Sequence, residues 1–326
     1  MADNRKSVDL VLEGGGVKGI ALLGAALELA DAGYKFERIA GTSAGAIVAA
    51  LLVAYQKADR DLHDLEKVMA DLDHRRFADR SGLGKVAGPA GEAIEVVVHG
   101  GGHSGDHLTE WLGPLLAAVG VRTFADLRLD DPEAGPFDYQ RYSLVVHATD
   151  LSRRALVRLP WDYSQYGKNA DRQLVVDAVR ASMSIPLYFR PVQVETPSGA
   201  VTWVDGGVLA NYPITVFDRT DGVAPRWPTW GVKLSSRPKA TPDAPVRTGP
   251  GIALDCLRAL ATDWNRYRLD EEGVSRRTMY VDTGTVSAVD FEISDVRRRE
   301  LFEHGKDAAR QFLTQMPSTL PRNPVP

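Results

Sequence analysis

Hydrophobic positions near the N-terminus form two short strand-like runs, each followed by a longer run with helical spacing. Residues 8–12 are nearly all apolar and end in glycines, and apolar side chains then recur every three or four positions over 20–32. The same order repeats, since the short apolar stretch 38–40 precedes a small-residue turn and the uncharged run 46–55. This alternation predicts an α/β fold with a parallel sheet covered by helices.

Later apolar segments extend this pattern toward the C-terminus. Residues 57–120 are predicted to be largely helical, with a glycine-rich interruption at 81–105 that we interpret as an insertion near the active site. We therefore predict one α/β domain over 7–220 and an extension, 221–326, that packs on it and ends in a frayed proline-rich tail. Further strands are predicted at 142–148, 200–204, 229–234 and 279–282, a loop at 238–250, and helices at 252–269 and 301–313.

Composition and charge exclude several classes of function. The chain has 326 residues, of which 44% are hydrophobic and 25% charged, as in a globular protein that buries a substantial core. A net charge of −4 gives no support to a nucleic-acid partner, and we expect none. The single cysteine, Cys256, excludes an internal disulfide and fits a reducing cytosol, so we expect a cytoplasmic protein. The oligomeric state stays open.

The longest uncharged run, residues 39–56, resembles a membrane span only in length. Its first positions include Gly41 and Gly45, which suit a turn, and too few residues remain for a spanning helix of about 20. Residues 1–6 lead into a strand and not into the apolar core of a signal peptide. We therefore predict a buried central helix here, and we expect any membrane contact to be peripheral and transient.

The turn between the second strand and the second helix carries the most specific motif. Residues 41–45 place Ser43 in a G-x-S-x-G frame, the setting that holds a nucleophilic serine in a strained and exposed conformation. The flanking residues Gly41 and Gly45 leave room for the turn. The helix that follows directs its N-terminal amides, beginning at Ala44, and its positive dipole end toward the serine oxygen. Ser43 is therefore the candidate nucleophile.

A glycine cluster after the first strand supports two interpretations. Residues 14–19 match the G-x-G-x-x-G fingerprint of dinucleotide-binding proteins, but the second predicted strand ends without the carboxylate that would hold a ribose. We favour the alternative, in which the exposed N–H groups of this loop bind an oxyanion generated at the serine. The candidate oxyanion residues are Gly14, Gly15, Gly16, Lys18, Gly19 and Ala44.

A third motif lies far along the chain, at the end of the strand predicted at 200–204. There Asp205 is followed by Gly206 and Gly207, and only folding could bring this carboxyl to Ser43. With a glycine-rich loop, a serine elbow and an aspartate–glycine motif in this order, the chain resembles the patatin-like phospholipase family. The resemblance spans about residues 7–220 and includes matches at 147–151, 181–186, 189–192 and 211–213.

The resemblance implies a three-layer α/β/α patatin-like fold with a mainly parallel central sheet. It also implies a Ser–Asp dyad without a histidine, in which Ser43 is the nucleophile and Asp205 its general base. The implied activity is hydrolysis of carboxylic esters of lipids, with phospholipids or lysophospholipids as the leading substrates. No metal or cofactor is expected, since a serine acyl-enzyme mechanism requires none. Lys18 is expected to anchor the loop or a substrate head group.

Histidines offer two competing sites. His99 and the three glycines after it match the oxyanion string of some Ser–His–acid hydrolases, but in those enzymes the string precedes the nucleophile, and here it follows Ser43. His99, His103 and His107 are spaced by four, as on one face of a helix that could bind a metal. The glycines between them argue against such a helix. His147, in a strand-like run, is expected to be a core histidine.

Other carboxylates and another role also compete with the proposed dyad. Asp150 and Asp177 could each serve as the base, but neither is framed by a glycine turn. A catalytically degenerate protein of the same fold, acting as a scaffold or regulator, also stays open, although the intact serine and aspartate motifs argue against it.

Overall fold

The computed structural model describes residues 6–73, 76, 101–131, 134–234, 272–288, 290 and 292–315. Several sequence predictions lie outside the described residues. They concern most of the glycine-rich interruption, the loop at 238–250, the helix at 252–269 with Cys256, and the C-terminal tail.

The first four elements follow the predicted order. Strand β1 (Lys6–Leu12) leads to helix α1 (Gly19–Asp31), and strand β2 (Tyr34–Thr42) leads to helix α2 (Ala44–Lys57). Helix α2 is buried from Ala44 to Tyr55, as the uncharged run predicted. Within the described ranges, no helix combines the length and apolar content that a membrane crossing requires.

The remaining helices and strands of the described residues follow in this order. They are α3 (Asp64–Ala70), β3 (Gly101–His103), α4 (Asp106–Ala118), β4 (Leu144–Asp150), β5 (Ala155–Leu159), α5 (Val175–Ser182), β6 (Leu187–Phe189), β7 (Val192–Val194), β8 (Val201–Asp205), α6 (Gly207–Ala210), β9 (Thr229–Lys233), α7 (Glu272–Ser275), β10 (Thr278–Tyr280) and α8 (Asp295–Gln315).

The main sheet has the order β10-β9-β1-β2-β4-β8-β7, and β5 also pairs with β4. The pairs from β10 to β4 are parallel, whereas β8 pairs antiparallel with β4 and β7, and β5 pairs antiparallel with β4. The sheet is therefore mixed but mostly parallel. With helices packed against it, the molecule has the three-layer α/β/α architecture expected from the sequence.

Strand register places the functional motifs at one edge of the sheet. The loop after β1 and the elbow after β2 are neighbours, because parallel strands end at the same edge. On β4, His147 pairs with Thr42 of β2, and the next residue, Ala148, pairs with Asp205 of β8. Because β8 runs antiparallel to β4, its last residue arrives beside the serine elbow.

Helices α1 and α8 pack closely at two glycines. A Cβ atom on Gly24 would lie 2.2 Å from the carbonyl oxygen of Phe302, and one on Gly305 would lie 2.0 Å from that of Ala21. Neither distance is compatible with a side chain, so the two backbones approach to contact. Helix α8 is thereby fixed against α1.

Candidate active site

Ser43 adopts a backbone conformation that is rare for a residue with a side chain. Its φ of 52° and ψ of −122° lie in the left-handed half of conformational space, which costs energy and persists only where neighbours enforce it. The Ser43 N–H donates to Ser182 Oγ at 2.9 Å, and its carbonyl accepts the Ala46 N–H at 2.9 Å. The elbow predicted at residues 41–45 is therefore held on both sides of the serine.

The two glycines of the elbow permit its tight turn. A Cβ atom on Gly41 would lie 2.3 Å from the Gly45 carbonyl oxygen, and one on Gly45 would lie 2.4 Å from that of Leu12. The contact at Gly41 lies within the turn itself. The contact at Gly45 brings the start of α2 against the end of β1. Both positions therefore require glycine.

Asp205 is a buried carboxyl with one satisfied oxygen. Its Oδ1 accepts the Gly207 N–H at 2.7 Å, while Oδ2 accepts no hydrogen bond of normal geometry from the described residues. Burial raises the pKa of Asp205 to about 6, and the Gly207 N–H and the nearby Ser43 hydroxyl oppose this rise. Gly206 packs against β4, since a Cβ there would lie 2.3 Å from the His147 carbonyl oxygen.

The glycine-rich loop lies against the nucleophile, but several of its amides are already used. A Cβ atom on Gly14 would lie 3.2 Å from Ser43 Cβ, and one on Gly19 would lie 3.1 Å from Ala44 Cβ. The Gly14 N–H donates to the Asn211 carbonyl at 3.1 Å, and the Lys18 N–H donates to that of Gly15 at 3.2 Å. The Gly19 N–H donates to the Gly16 carbonyl. These three amides of the predicted oxyanion set are engaged within the protein.

Three other amides of the predicted set carry no such bond. The N–H groups of Gly15, Gly16 and Ala44 donate to no acceptor among the described residues. Gly16 has a φ of 54°, and a Cβ there would collide with the Ala288 carbonyl oxygen at 1.8 Å. Two of these donors therefore come from the loop and one from the first residue of α2, where the helix dipole is positive.

A buried ion pair supports the loop from below. Glu13 accepts a hydrogen bond from Lys233 Nζ at 2.5 Å and another from the Leu234 N–H at 2.5 Å, and both charged side chains are buried. Lys18 lies near this pair. Burial lowers the pKa of Lys18, the Glu13 carboxylate opposes that shift, and Lys233 adds to it. The loop after β1 is thus anchored to β9.

A narrow apolar cavity opens at Ser43. It measures about 40 Å³, and two of its walls are methionine side chains, which adapt readily to a ligand. Apolar residues form most of its lining, with no charged side chain among those described. The lining residues are Gly16, Val17, Gly19, Ile20, Ser43, Ala44, Ile47, Met69, Leu72, Met183, Ile185 and Phe189.

The alternative carboxylates occupy structural positions. Asp150 is buried at the end of β4, where it accepts hydrogen bonds from the Tyr166 hydroxyl at 2.9 Å and the Ser152 N–H at 2.8 Å. Asp177 lies on α5, and burial raises its pKa. Neither carboxyl lines the cavity at Ser43.

The histidines form no triad or metal site in the part of the chain that is described. His99 lies outside the described residues, and the described ones contain no cluster of three His, Cys, Asp or Glu side chains able to hold a metal. The centre of the His103 ring lies 4.5 Å from that of Tyr188, with the two planes tilted by 41°. His147 is a core residue as expected, and burial lowers its pKa to about 4.

Two positioning residues were not predicted from the sequence. Ser182 holds the nucleophile's N–H, and Asn211 binds the loop through its carbonyl and through its Nδ2, which donates to the Gly14 carbonyl at 3.1 Å. Both lie in segments that match the family pattern, at 181–186 and 211–213. That match was the only signal that could have pointed to them.

Fold and site define a class of protein: a three-layer α/β protein with a serine at a strand–turn–helix elbow beside a buried aspartate. A family model for patatin-like phospholipases matches residues 10–218. The chain belongs to the patatin-like phospholipase family. At the level of the family, this membership supports a lipid acyl hydrolase.

Individual relatives extend over most of this chain. The chain is 33% identical over 308 residues to the uncharacterized protein YqhO of Bacillus subtilis (strain 168), covering 94% of this chain and 98% of that one. The crystal structure of VipD from Legionella pneumophila has 19% identity and a TM-score of 0.51, covering 95% of this chain and 67% of VipD. The type III effector ExoU of Pseudomonas aeruginosa has 18% identity and a TM-score of 0.47, covering 95% and 53%.

Proposed function

We propose that this protein hydrolyses carboxylic esters of lipids through a Ser43–Asp205 dyad. The observation that carries the proposal is the strained, buried serine, which lies beside a carboxyl of raised pKa at the mouth of an apolar cavity. The serine supplies a nucleophile, the carboxyl a base, and the cavity a place for an acyl chain. Phospholipids and lysophospholipids are the proposed substrate class.

Acylation begins when the ionised Asp205 takes the Ser43 hydroxyl proton on Oδ2, the oxygen without a hydrogen bond among the described residues. Ser43 Oγ attacks the ester carbonyl, and the N–H groups of Gly15, Gly16 and Ala44 receive the oxyanion. Asp205 then returns the proton to the departing alcohol or lysolipid. A carboxyl of pKa about 6 suits this double role better than an ordinary aspartate.

Deacylation repeats these steps with water. Asp205 removes a proton from a water molecule that attacks the acyl-enzyme, and Ser43 leaves with that proton as a hydroxyl. The acyl chain lies along Met69, Leu72 and Met183. Because the cavity of about 40 Å³ holds only a short piece of chain, the two flexible methionines have to move aside for a longer one.

The dyad is tested by the release of p-nitrophenol from medium-chain esters. We expect Ser43→Ala and Asp205→Ala each to lower kcat/KM by about a thousandfold or more, as when one member of a nucleophile–base unit is removed. Asp177→Asn is the matched control, because this carboxyl also has a raised pKa but lies away from the cavity. It should retain wild-type activity.

Two results would overturn the proposal. One is a folded Ser43→Ala variant that keeps its activity. The other is a wild type that is inactive on esters and lipids and is also unlabelled at Ser43 by a fluorophosphonate. Labelling without turnover would instead favour the catalytically degenerate alternative.

A further inference from the structure

A second cavity, of about 330 Å³, shares no lining residue with the cavity at Ser43. Its walls come from β2, β4 and β5 and from the segments 136–140 and 213–220. His147 connects it to the active site, since this ring lines the cavity while its Nδ1 lies 3.4 Å from the Gly41 carbonyl oxygen. The cavity therefore lies directly behind the serine elbow.

Two guanidinium groups line this cavity, and each has an N–H donor that its carboxylate partner does not use. Arg38 uses Nε and Nη2 on the buried Asp9, and Arg158 uses the same two nitrogens on Asp162, at 3.0 and 2.8 Å. In each case Nη1 donates to no acceptor among the described residues. Because each carboxylate fixes its guanidinium plane, the remaining edges are held in place as donors for an anionic oxygen.

Three further lining residues carry buried polar atoms without a partner in the described chain. They are Trp161 Nε1, Gln140 Oε1 and His147 Nε2. Unpartnered buried polar atoms are uncommon because each costs stability, so these three are groups that a polar ligand in the cavity would satisfy. The indole N–H is a donor and the amide oxygen an acceptor. His147 is neutral, so Nε2 is an acceptor when Nδ1 carries the proton toward Gly41.

An aromatic wall completes the cavity. The rings of Trp161 and Phe217 lie 6.0 Å apart, and the Arg38 guanidinium lies 4.4 Å from the centre of the Phe217 ring. The Arg158 guanidinium lies 5.6 Å from the centre of the Trp161 ring. Aromatic faces pack well against the C–H groups of a sugar or glycerol unit, while guanidinium groups bind phosphate oxygens.

We propose that this cavity binds a phosphorylated polyol. The phosphate accepts hydrogen bonds from Arg38, Arg158 and the Trp161 N–H, and the polyol hydroxyls donate to Gln140 and His147. Its volume lies at the lower end of the range for small-ligand pockets. Since Asp9 and Asp162 offset both positive charges, affinity depends on hydrogen bonds more than on net charge. The proposal does not rest on the hydrolase activity.

The test is calorimetric titration of the full chain with sn-glycerol 3-phosphate and ribose 5-phosphate, compared with ribose and inorganic phosphate. We expect the two phosphorylated polyols to bind more tightly than either part alone. Arg158→Gln should weaken binding about tenfold or more. Trp161→Phe, which keeps an aromatic ring and removes only the donor, should weaken it about fivefold.

Arg310→Gln is the matched control, because it also removes one arginine charge but lies on α8, paired with Glu28. It should bind as the wild type does, and circular dichroism confirms that each variant is folded. Vesicles of phosphatidylcholine with and without phosphatidylinositol, added to the Ser43→Ala variant, distinguish a lipid head group from a free metabolite as the source.

If only the soluble compounds bind, the ligand of this cavity is a free metabolite. If the phosphatidylinositol vesicles bind and this binding depends on Arg158, the ligand is a lipid head group. The proposal fails if a folded wild type binds neither form. It also fails if Arg158→Gln and Trp161→Phe bind as tightly as the wild type. Neither failure depends on ester hydrolysis, so both are distinct from a failure of the dyad.

Discussion

Ser43 and Asp205 are each held in an unfavourable state. The serine backbone is left-handed, and the aspartate carboxyl is withdrawn from water. Neighbours stabilise both states, since Ser182 accepts the serine N–H and the Gly207 N–H donates to the aspartate. The rest of the fold thus supplies the free energy that holds these two residues, which we propose for the chemistry, in unfavourable states.

The raised pKa of Asp205 predicts a pH dependence. The base must be ionised to take the serine proton, so kcat/KM for ester hydrolysis should fall as the pH drops below about 6. A pH–rate profile over a range in which the protein stays folded measures this directly. An acid limb near pH 4, as for an ordinary aspartate at about 3.9, would contradict the burial argument.

The Ser182 hydroxyl predicts a specific kinetic defect. Ser182→Ala leaves the Ser43 N–H without its acceptor, and we expect kcat to fall about tenfold with KM unchanged. Ser164→Ala, an exposed serine in a short 3-10 helix, serves as control and should change neither constant. A rise in KM at constant kcat would mean that Ser182 shapes the binding site instead of positioning the nucleophile.

At the scale of elements, the sheet positions the candidate site residues, whereas the crossing of α1 and α8 stabilises the fold. Antiparallel β8 delivers Asp205 to the carboxyl edge of the parallel strands, where the loop and the elbow already meet. Helix α8 instead secures α1, the helix that follows the glycine-rich loop, through backbone contact at Gly24 and Gly305. The close crossing of these helices therefore bears on stability more than on chemistry.

Two helical glycines predict opposite effects of the same substitution. Gly305→Ala would place a Cβ 2.0 Å from the Ala21 carbonyl oxygen, so the free energy of unfolding should fall by about 2 kcal/mol despite alanine's better helix propensity. The added Cβ of Gly113→Ala on α4 meets no atom of the described residues within 4 Å, so this substitution should raise that free energy by about 0.5–1 kcal/mol. Urea denaturation measures both. Equal effects would show that the helix crossing relaxes freely.

At the scale of the whole molecule, the C-terminal part of the chain supports the N-terminal loop. Lys233, on β9, forms the buried ion pair with Glu13, 220 positions earlier. Strand β9 also pairs with β1, so the loop after β1 is held by residues that lie beyond the family match at 10–218. Residues beyond the family match thus contribute directly to the support of the candidate site.

Breaking this ion pair should lower the free energy of unfolding substantially. Lys233→Met leaves the Glu13 carboxylate buried without its counter-charge, and we expect a loss of about 3–5 kcal/mol in the free energy of unfolding. The double variant Glu13→Gln/Lys233→Met should recover most of that loss, because the buried carboxylate is removed together with its lysine partner. Chemical denaturation of both variants decides the point. A single variant as stable as the wild type would show that water reaches Glu13.

The sequence predicted this fold well where the signals were local. The apolar periodicity located α1, α2 and the long strands to within a few residues, and glycine placement identified the elbow. The short strands β3, β5, β6 and β7 were not predicted, although equally short strands such as β10 were. Three to five residues carry little periodic signal, so such strands are found from sequence only where an apolar run stands out. Contacts such as Ser43 to Ser182 span 139 positions, and no local pattern encodes them. The sequence also does not show which amides of the glycine-rich loop are free, because that depends on tertiary partners such as Asn211.

Separate parts of the chain contribute to the wall of the cavity at Ser43, with different consequences. Ser43, Ala44 and Gly16 belong to the carboxyl edge of the sheet, whereas Met69 and Leu72 belong to α3 and the residues after it. None of the hydrogen bonds described for Ser43 or Asp205 passes through α3. In the proposed hydrolase, substitutions on α3 would therefore change acyl-chain preference and leave the reacting atoms unchanged, so that selectivity and chemistry would evolve on separate parts of the molecule.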